Sequence, residues 1–134
     1  MEKTFVSNVN EADWNKHTAE RIALGANPDL RWCHLVDSTK DASHGLSVGC
    51  LVIPIDGKLP AHTHSPQEVY LIKSGSGLLL MPDGKTKPVS ENDFVYIPSN
   101  EKHGLKNTGN KPLEVIWIFP TDCWKDVNYS YSDA

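Results

Sequence analysis

From residue 30 onward, short apolar runs alternate with turn residues, and this rhythm limits the fold more than any other feature of the sequence. The runs are rich in β-branched and aromatic residues, and Gly, Pro, Asn or Asp interrupts them about every 8–12 residues. Short strands at this spacing are typical of an all-β sandwich or barrel. We predict strands over residues 30–37, 45–55, 68–73, 77–81, 93–97, 104–107 and 113–119.

The region before these strands has the features of a helix. Asn10 suits an N-cap, Glu11 adds negative charge to the first turn, and Gly25 stands where a helix commonly ends. The length of 134 residues matches one domain, since a domain has about 150 residues. We predict a single domain over 1–134, with the helix at about 10–24, the barrel at about 30–120 and a C-terminal tail at 121–134.

Charge and hydropathy exclude several classes of partner. Lys and Arg number 13 against 17 Asp and Glu, and the net charge of -4 offers no basic surface for nucleic acid or an anionic membrane. The longest apolar runs, 78–81 and 115–119, are far shorter than the roughly 18 residues of a membrane span. The N-terminal residues lack the apolar segment of a secretory signal. We therefore predict a cytoplasmic protein that binds neither nucleic acid nor a membrane.

The cysteines do not suggest a disulfide framework. There are three, Cys33, Cys50 and Cys123, which is an odd number without close pairs. We interpret them as reduced, mostly buried thiols rather than as a thiolate zinc site.

Three of the six histidines form a pattern that indicates a metal site. Residues two apart on an extended chain point to the same side, so His62 and His64 can present their imidazoles to one point. Glu68 opens the next predicted strand, and His103 must reach the site from elsewhere in the sheet. Three imidazoles and one carboxylate leave positions free on one divalent transition metal ion, whether Fe, Mn, Ni, Co or Zn. Such an open site is typical of catalysis rather than of structure.

The flanks of these residues strengthen the metal hypothesis. The spacing G-x4-H-x-H-x3-E-x6-G runs through Gly57, His62, His64, Glu68 and Gly75. A later segment leads from Asp93 through Pro98 to His103 and Asn107. Together these segments resemble the two signature motifs of the cupin superfamily, which implies a single cupin barrel, a double-stranded β-helix or jelly roll, with a short N-terminal helix.

The sequence departs from the cupin motifs at turn positions. Gly57 lies one residue closer to the first histidine than is usual, and the glycines of the second motif are replaced by Asn92 or Asp93 and by Asn100. Asn adopts left-handed backbone conformations more readily than most residues, so we expect the fold to survive these replacements.

A narrower resemblance concerns the block from His62 to Tyr70 and the segment 117–122. With the small size and the N-terminal helix, these are similar to the single-domain cupin lyases that cleave dimethylsulfoniopropionate to dimethyl sulfide and acrylate. The resemblance implies a metal-dependent carbon–sulfur lyase that binds a small carboxylate substrate and forms a homodimer. Its implied residues are the metal ligands His62, His64, Glu68 and His103, the general base Tyr70, and a second pocket tyrosine, Tyr129 or alternatively Tyr131.

The residues support this chemistry independently. A metal that binds the substrate carboxylate would acidify the α C–H group and favour the phenolate of Tyr70, two residues from Glu68. Removal of the α proton would expel dimethyl sulfide from the β carbon and leave acrylate. The aromatic rings of Tyr129, Trp117 or Tyr96 are candidates to contact the sulfonium group.

Two alternatives remain open at this point. The same ligands serve other small metal cupin enzymes, such as oxygenases and sugar-acid isomerases, and a non-catalytic cupin can bind a small ligand. Among the other histidines, we interpret His34 as a core residue and expect His17 and His44 to be solvated.

Overall fold

The computed structural model describes residues 1–131. These residues contain eleven strands, one short α-helix and three 3-10 turns. The helix α1 spans Ala19–Ala23, and the 3-10 turns span Val9–Glu11, Pro82–Gly84 and Trp124–Asp126. The strands are β1 (Trp14–Lys16), β2 (Arg31–Val36), β3 (Ser47–Ile53), β4 (Lys58–Thr63), β5 (Glu68–Ser74), β6 (Ser76–Leu80), β7 (Thr86–Ser90), β8 (Phe94–Ile97), β9 (His103–Asn107), β10 (Leu113–Phe119) and β11 (Ser130–Tyr131).

The strands form two antiparallel sheets that enclose the core. The six-stranded sheet has the order β1-β2-β3-β10-β5-β8, and the five-stranded sheet has the order β11-β4-β9-β6-β7. Strand β10 shows how the core is made, because its odd-numbered residues from Leu113 to Phe119 are buried while the residues between them are half-exposed. Two facing antiparallel sheets are the architecture of a jelly roll, so the predicted all-β barrel is confirmed.

Seven strands lie within two residues of their predicted positions, but β1, β4, β7 and β11 were not among the predicted strands. Strand β4 contains Pro60, and β7 contains Pro88 and is exposed at every residue except Val89. Proline and low apolar content both disfavour a strand prediction. The sheets extend beyond the predicted barrel limits of about 30–120, because β1 and β11 lie outside them.

The helix predicted at about 10–24 is wrong over most of its length. Two polar caps divide the segment: the Asn8 side chain accepts a hydrogen bond from the Asn10 amide, and the Thr18 hydroxyl accepts one from the Arg21 amide. Between the caps, β1 obtains its backbone hydrogen bonds by pairing with β2, so α1 is left with five residues. Gly25 has a φ of 115° just after the helix, as its predicted role requires.

The replaced motif glycines occupy left-handed positions. Asn92 and Asn100 have φ angles of 75° and 64°, which confirms that asparagine takes these turns. In the turn before β4, the positive φ of 63° belongs to Asp56 and not to Gly57. Asp56 stands one residue earlier, which restores the usual distance to the first histidine of the motif.

The segment predicted as a C-terminal tail is partly built into the barrel. After the 3-10 turn, β11 pairs with β4 and places Tyr131 opposite His62. The last residues of that predicted tail, 132–134, lie outside the described residues. Across residues 1–131, no helix is long and apolar enough to cross a membrane.

Candidate metal centre

The four predicted ligands come from strands of both sheets. His62 lies in β4 directly opposite His103 in β9, and His64 follows β4 by one residue. Glu68 opens β5 in the other sheet. All four side chains are buried, so the site lies inside the barrel, between the two sheets.

The ligand atoms converge on one point. One nitrogen from each of the three histidines lies within 4.8 Å of the others. The Glu68 Oε1 lies 3.2 Å from the Nε2 of His64 and 3.3 Å from the Nε2 of His103. The spacing of these residues in the sequence thus places three imidazoles and one carboxylate together, as a metal site needs.

Each histidine is oriented by a backbone carbonyl. The Nδ1 atoms of His62, His64 and His103 lie 2.7, 2.9 and 2.8 Å from carbonyl oxygens of residues 60, 66 and 101. A carbonyl accepts only from N–H, so Nδ1 carries the proton and the Nε2 lone pair is free.

The Nε2 atoms of His62 and His103 are buried and have no hydrogen-bond partner within residues 1–131. Buried nitrogen lone pairs without a partner, each held by a hydrogen bond on the far side of its ring, are the arrangement of metal-ligating histidines. The three histidines can therefore bind a metal ion.

The protonation state of His62 suits a ligand. Burial and the neighbouring His103 lower its pKa to about 3, although the hydrogen bond to Pro60 acts in the opposite direction. The imidazole is therefore neutral near pH 7, and its Nε2 lone pair is available without the loss of a proton.

Two tyrosines border the candidate ligands. The ring centroid of Tyr129 lies 5.0 Å from that of His62 and 5.2 Å from that of His64, and Tyr70 lies 6.0 Å from His103. Burial raises the pKa of Tyr70, and the negative charge of the nearby Glu68 raises it further. Burial likewise raises the pKa of Tyr129, so without an added positive charge both phenols keep their protons.

An aromatic cavity of about 40 Å³ lies beside the centre, and we call it the inner cavity. Its aromatic lining includes Trp32, Tyr70, Trp117, Trp124, Tyr129 and Tyr131. Both candidates for the second tyrosine therefore reach the pocket, and Tyr131 lies 5.7 Å from His62. The interpretation of Tyr96 as a pocket residue is wrong, because it is 63% exposed and donates its hydroxyl hydrogen to Gln67.

Several pocket residues had no predicted role. His17 was expected to be solvated, but its ring packs 4.5 Å from that of Trp32 and lines the inner cavity. Trp124 donates its indole N–H to the Tyr129 hydroxyl over 3.0 Å. Trp32 also packs against Trp124, with ring centroids 5.2 Å apart, and no local pattern in the sequence signals a contact between residues so far apart in the chain.

His34 is half-buried and so is not the core residue that we expected, whereas the interpretations of His44 and of the cysteines are confirmed. His34 packs against Trp117 and Trp124 and lies 3.4 Å from the Asp37 carboxylate, away from the ligand cluster. His44 is exposed. The cysteines are free and buried.

Comparison with protein families gives one domain match, to the model described as Cupin domain, over residues 50–119. An oxalate-binding protein of Thermotoga maritima is 30% identical over 106 residues, covering 75% of this chain and 85% of that protein. Dimethylsulfoniopropionate lyase DddW of Ruegeria pomeroyi is 26% identical over 119 residues, covering 85% and 77%. An uncharacterized protein of Methanocaldococcus jannaschii is 31% identical over 84 residues. The matched part spans 62% of that relative, less than two thirds of its length.

Solved structures share the fold at low sequence identity. The polyketide cyclase RemF of Streptomyces resistomycificus has a TM-score of 0.77 and 19% identity, covering 100% of this chain and 87% of that one. The lyase DddQ of Ruegeria pomeroyi has a TM-score of 0.70 and 19% identity, covering 92% and 63%. At these identities the likeness shows the fold, and the chemistry must be argued from the site itself.

Proposed function

Because the chain belongs to the cupin family, we propose that its metal centre catalyses a lyase reaction, the cleavage of dimethylsulfoniopropionate to dimethyl sulfide and acrylate. The observation that carries this proposal is the position of two tyrosines, the buried Tyr70 and the half-buried Tyr129, beside a cluster of three histidines and Glu68. An α-proton abstraction needs both a base and a stabilised carboxylate, and the site places candidates for both together.

The residues proposed to hold the metal are His62, His64, Glu68 and His103. A divalent ion bound by them would supply a Lewis acid for the substrate carboxylate and a positive charge that favours a phenolate. Imidazole and carboxylate ligands suit all five of the divalent transition metals Fe, Mn, Ni, Co and Zn, so the ligands do not identify the metal.

Tyr70 is the proposed general base. Its side chain is buried, it follows Glu68 by two residues in β5, and its ring centroid lies 6.0 Å from that of His103. In the proposed step, the phenolate takes the α proton, and the C–H electron pair forms the new carbon–carbon double bond. The C–S bond breaks with its electron pair on sulfur, so dimethyl sulfide leaves and acrylate remains.

Tyr129 is the proposed second pocket tyrosine. Trp124 donates a hydrogen bond to its oxygen, so the Tyr129 O–H can donate to a bound substrate. Together with Trp32 and Trp117, Tyr129 gives the inner cavity aromatic faces that attract a sulfonium cation and exclude water. Tyr131, which stacks on Tyr129, has the weaker claim because it lies near one candidate ligand ring rather than two.

We also propose a homodimer located in the cytoplasm. Support for the dimer comes from β8, an edge strand whose Phe94 and Tyr96 are 71% and 63% exposed. Uncharged, apolar edge strands tend to pair with another chain.

Replacement of one hydroxyl tests the lyase proposal. Tyr70→Phe should lower acrylate release from dimethylsulfoniopropionate at least 100-fold with unchanged metal content, because the base is lost while the ligands stay. Tyr96→Phe is the matched control and should retain the wild-type rate, since Tyr96 lies on the outside of the barrel. Full activity of Tyr70→Phe would exclude the proposed base. Oxygen consumption or conversion of a sugar acid by the wild type, without acrylate release, would favour the oxygenase or isomerase alternative.

A further inference from the structure

A second cavity lies next to the inner cavity, on the other side of shared side chains. This outer cavity has a volume of about 250 Å³ and shares His17, Trp124, Tyr129 and Tyr131 with the inner cavity. Because the same side chains line both spaces, they form the partition between the outer cavity and the metal centre. Any small molecule that reaches the centre by this route meets the outer cavity first.

The charged side chains that line the outer cavity are both cationic. They are Arg21 from α1 and Lys125 from the 3-10 turn before β11, and no Asp or Glu among the described residues lines this space. The whole chain has a net charge of -4, so this local excess of positive charge opposes the average charge of the surface. A concave space lined by one sign of charge attracts the opposite sign.

Within residues 1–131, Arg21 is held in place without an anionic partner. Its guanidinium lies over the Trp124 ring, with Cζ 4.7 Å from the ring centroid, and the side chain is half-buried. The ion pairs found within residues 1–131 do not include it. A stacked guanidinium of this kind keeps N–H donors for a planar, bidentate acceptor such as a carboxylate.

Two buried nitrogen atoms of residues that line the cavities have no hydrogen-bond partner within residues 1–131. Trp32 lines the inner cavity and is 3% exposed, and its Nε1–H has no acceptor within the described chain. The Nδ1 of His17, which lines both cavities, is also buried without a partner. A buried N–H donor without an acceptor is costly unless a ligand supplies an oxygen atom.

We infer that Arg21 is a specificity-determining residue: with Lys125, it receives the carboxylate of an entering substrate in the outer cavity before the carboxylate reaches the metal centre. This inference rests on the proposed function only in taking a small carboxylate as the substrate. It assigns recognition to a residue outside the ligand cluster and predicts that an anion enters faster than a neutral molecule of the same shape.

The test measures association rather than turnover. Co(II)-loaded protein is mixed rapidly with acrylate, and the change in the visible absorption of Co(II) gives the association rate. At low salt, Arg21→Gln combined with Lys125→Gln should lower the rate about tenfold, and the difference should shrink as salt screens the charges. Acrylamide, the neutral analogue, should associate equally with both proteins if it changes the Co(II) absorption.

The matched control removes the same charge from a distant surface. Lys85 and Lys87 are exposed at the hairpin of β6 and β7, at the opposite edge of the five-stranded sheet from β11. Lys85→Gln combined with Lys87→Gln should leave the acrylate rate unchanged. Circular dichroism and metal content check that each variant folds. If the Arg21 variant does not fold, the test uses Lys125→Gln alone, because Lys125 is exposed.

Two results would overturn the inference. One is an acrylate association rate that is the same in the wild type and in the variant of Arg21 and Lys125. An equal fall of that rate in the control variant of Lys85 and Lys87 would count in the same way. The other is an association rate that depends on these residues for inorganic phosphate but not for acrylate. That result would mean that the outer cavity binds phosphate groups. If acrylate binds as expected while dimethylsulfoniopropionate is not cleaved, the proposed reaction fails and the role of Arg21 stands.

Discussion

Acidification should destabilise the metal-free protein, and His62 should account for a measurable part of the loss. The pKa of His62 in the folded chain is lowered to about 3 from an ordinary value of 6.5. Between these values the unfolded chain binds a proton that the folded chain does not bind. Stability from this residue is therefore complete above about pH 6.5 and is lost as the pH falls towards 3.

The size of the effect follows from proton linkage. An excess of one bound proton in the unfolded state costs about 1.4 kcal/mol per pH unit, so His62 should contribute a loss of about 2 kcal/mol between about pH 6.5 and about pH 4.5. Urea unfolding in the presence of a chelator gives the free energy of unfolding at each pH. His62→Gln cannot take up the proton, so its stability should fall by about 2 kcal/mol less than that of the wild type over this range.

A control and a contrary result make this prediction decisive. His44 is exposed and Glu2 raises its pKa, the opposite direction to His62, so His44→Gln should not lessen the loss of stability on acidification. If His62→Gln also loses stability in parallel with the wild type, His62 is protonated in the folded state. That result would contradict our conclusion that the His62 imidazole is neutral and oriented by a carbonyl, on which the metal site depends.

Three further predictions test the fold and the ligand set. Gly49→Ala should destabilise the protein by about 1–3 kcal/mol in urea unfolding, because a Cβ there would overlap ring atoms of Trp117. Asn107→Ala should cost about 2–4 kcal/mol in urea unfolding, because the buried amide donates to three backbone carbonyls and accepts from one amide. Glu68→Gln should weaken Zn(II) binding about tenfold or more in a competition titration with a chromophoric chelator.

Each of these predictions has its own contrary result. Unchanged stability of Gly49→Ala would mean that Trp117 does not pack against Gly49. A neutral Asn107→Ala would show that the carbonyls it contacts are satisfied by water. Unchanged Zn(II) affinity in Glu68→Gln would remove Glu68 from the ligand set.

The sequence predicted the parts of the fold that local pattern controls. Strand β10 is marked in the sequence by the apolar run 115–119, although the half-exposure of Ile116 and Ile118 is not visible in that run. The N-terminal segment was harder, because its cap at Thr18 and the pairing of β1 with β2 compete with the helix signals around Asn10. Tertiary pairing overrode local propensity there.

In the candidate site, too, local pattern predicted some features and contacts between distant segments determine the others. The period of an extended chain predicted that His62 and His64 face one point, and Glu68 was expected to join them after a turn. The carbonyls that orient the imidazoles, and the position of Arg21 over Trp124, depend on contacts between segments far apart in the chain. No local pattern carries that information.

The most direct test of the central claim is product release by protein with a defined metal. Metal-stripped wild type is reloaded singly with Mn(II), Fe(II), Co(II), Ni(II) or Zn(II), and acrylate and dimethyl sulfide are measured with dimethylsulfoniopropionate as substrate, beside His103→Ala. We predict equal amounts of both products with at least one metal, none from stripped protein, and a loss of activity in His103→Ala. If every metal fills the site and no acrylate forms, the lyase reaction is refuted.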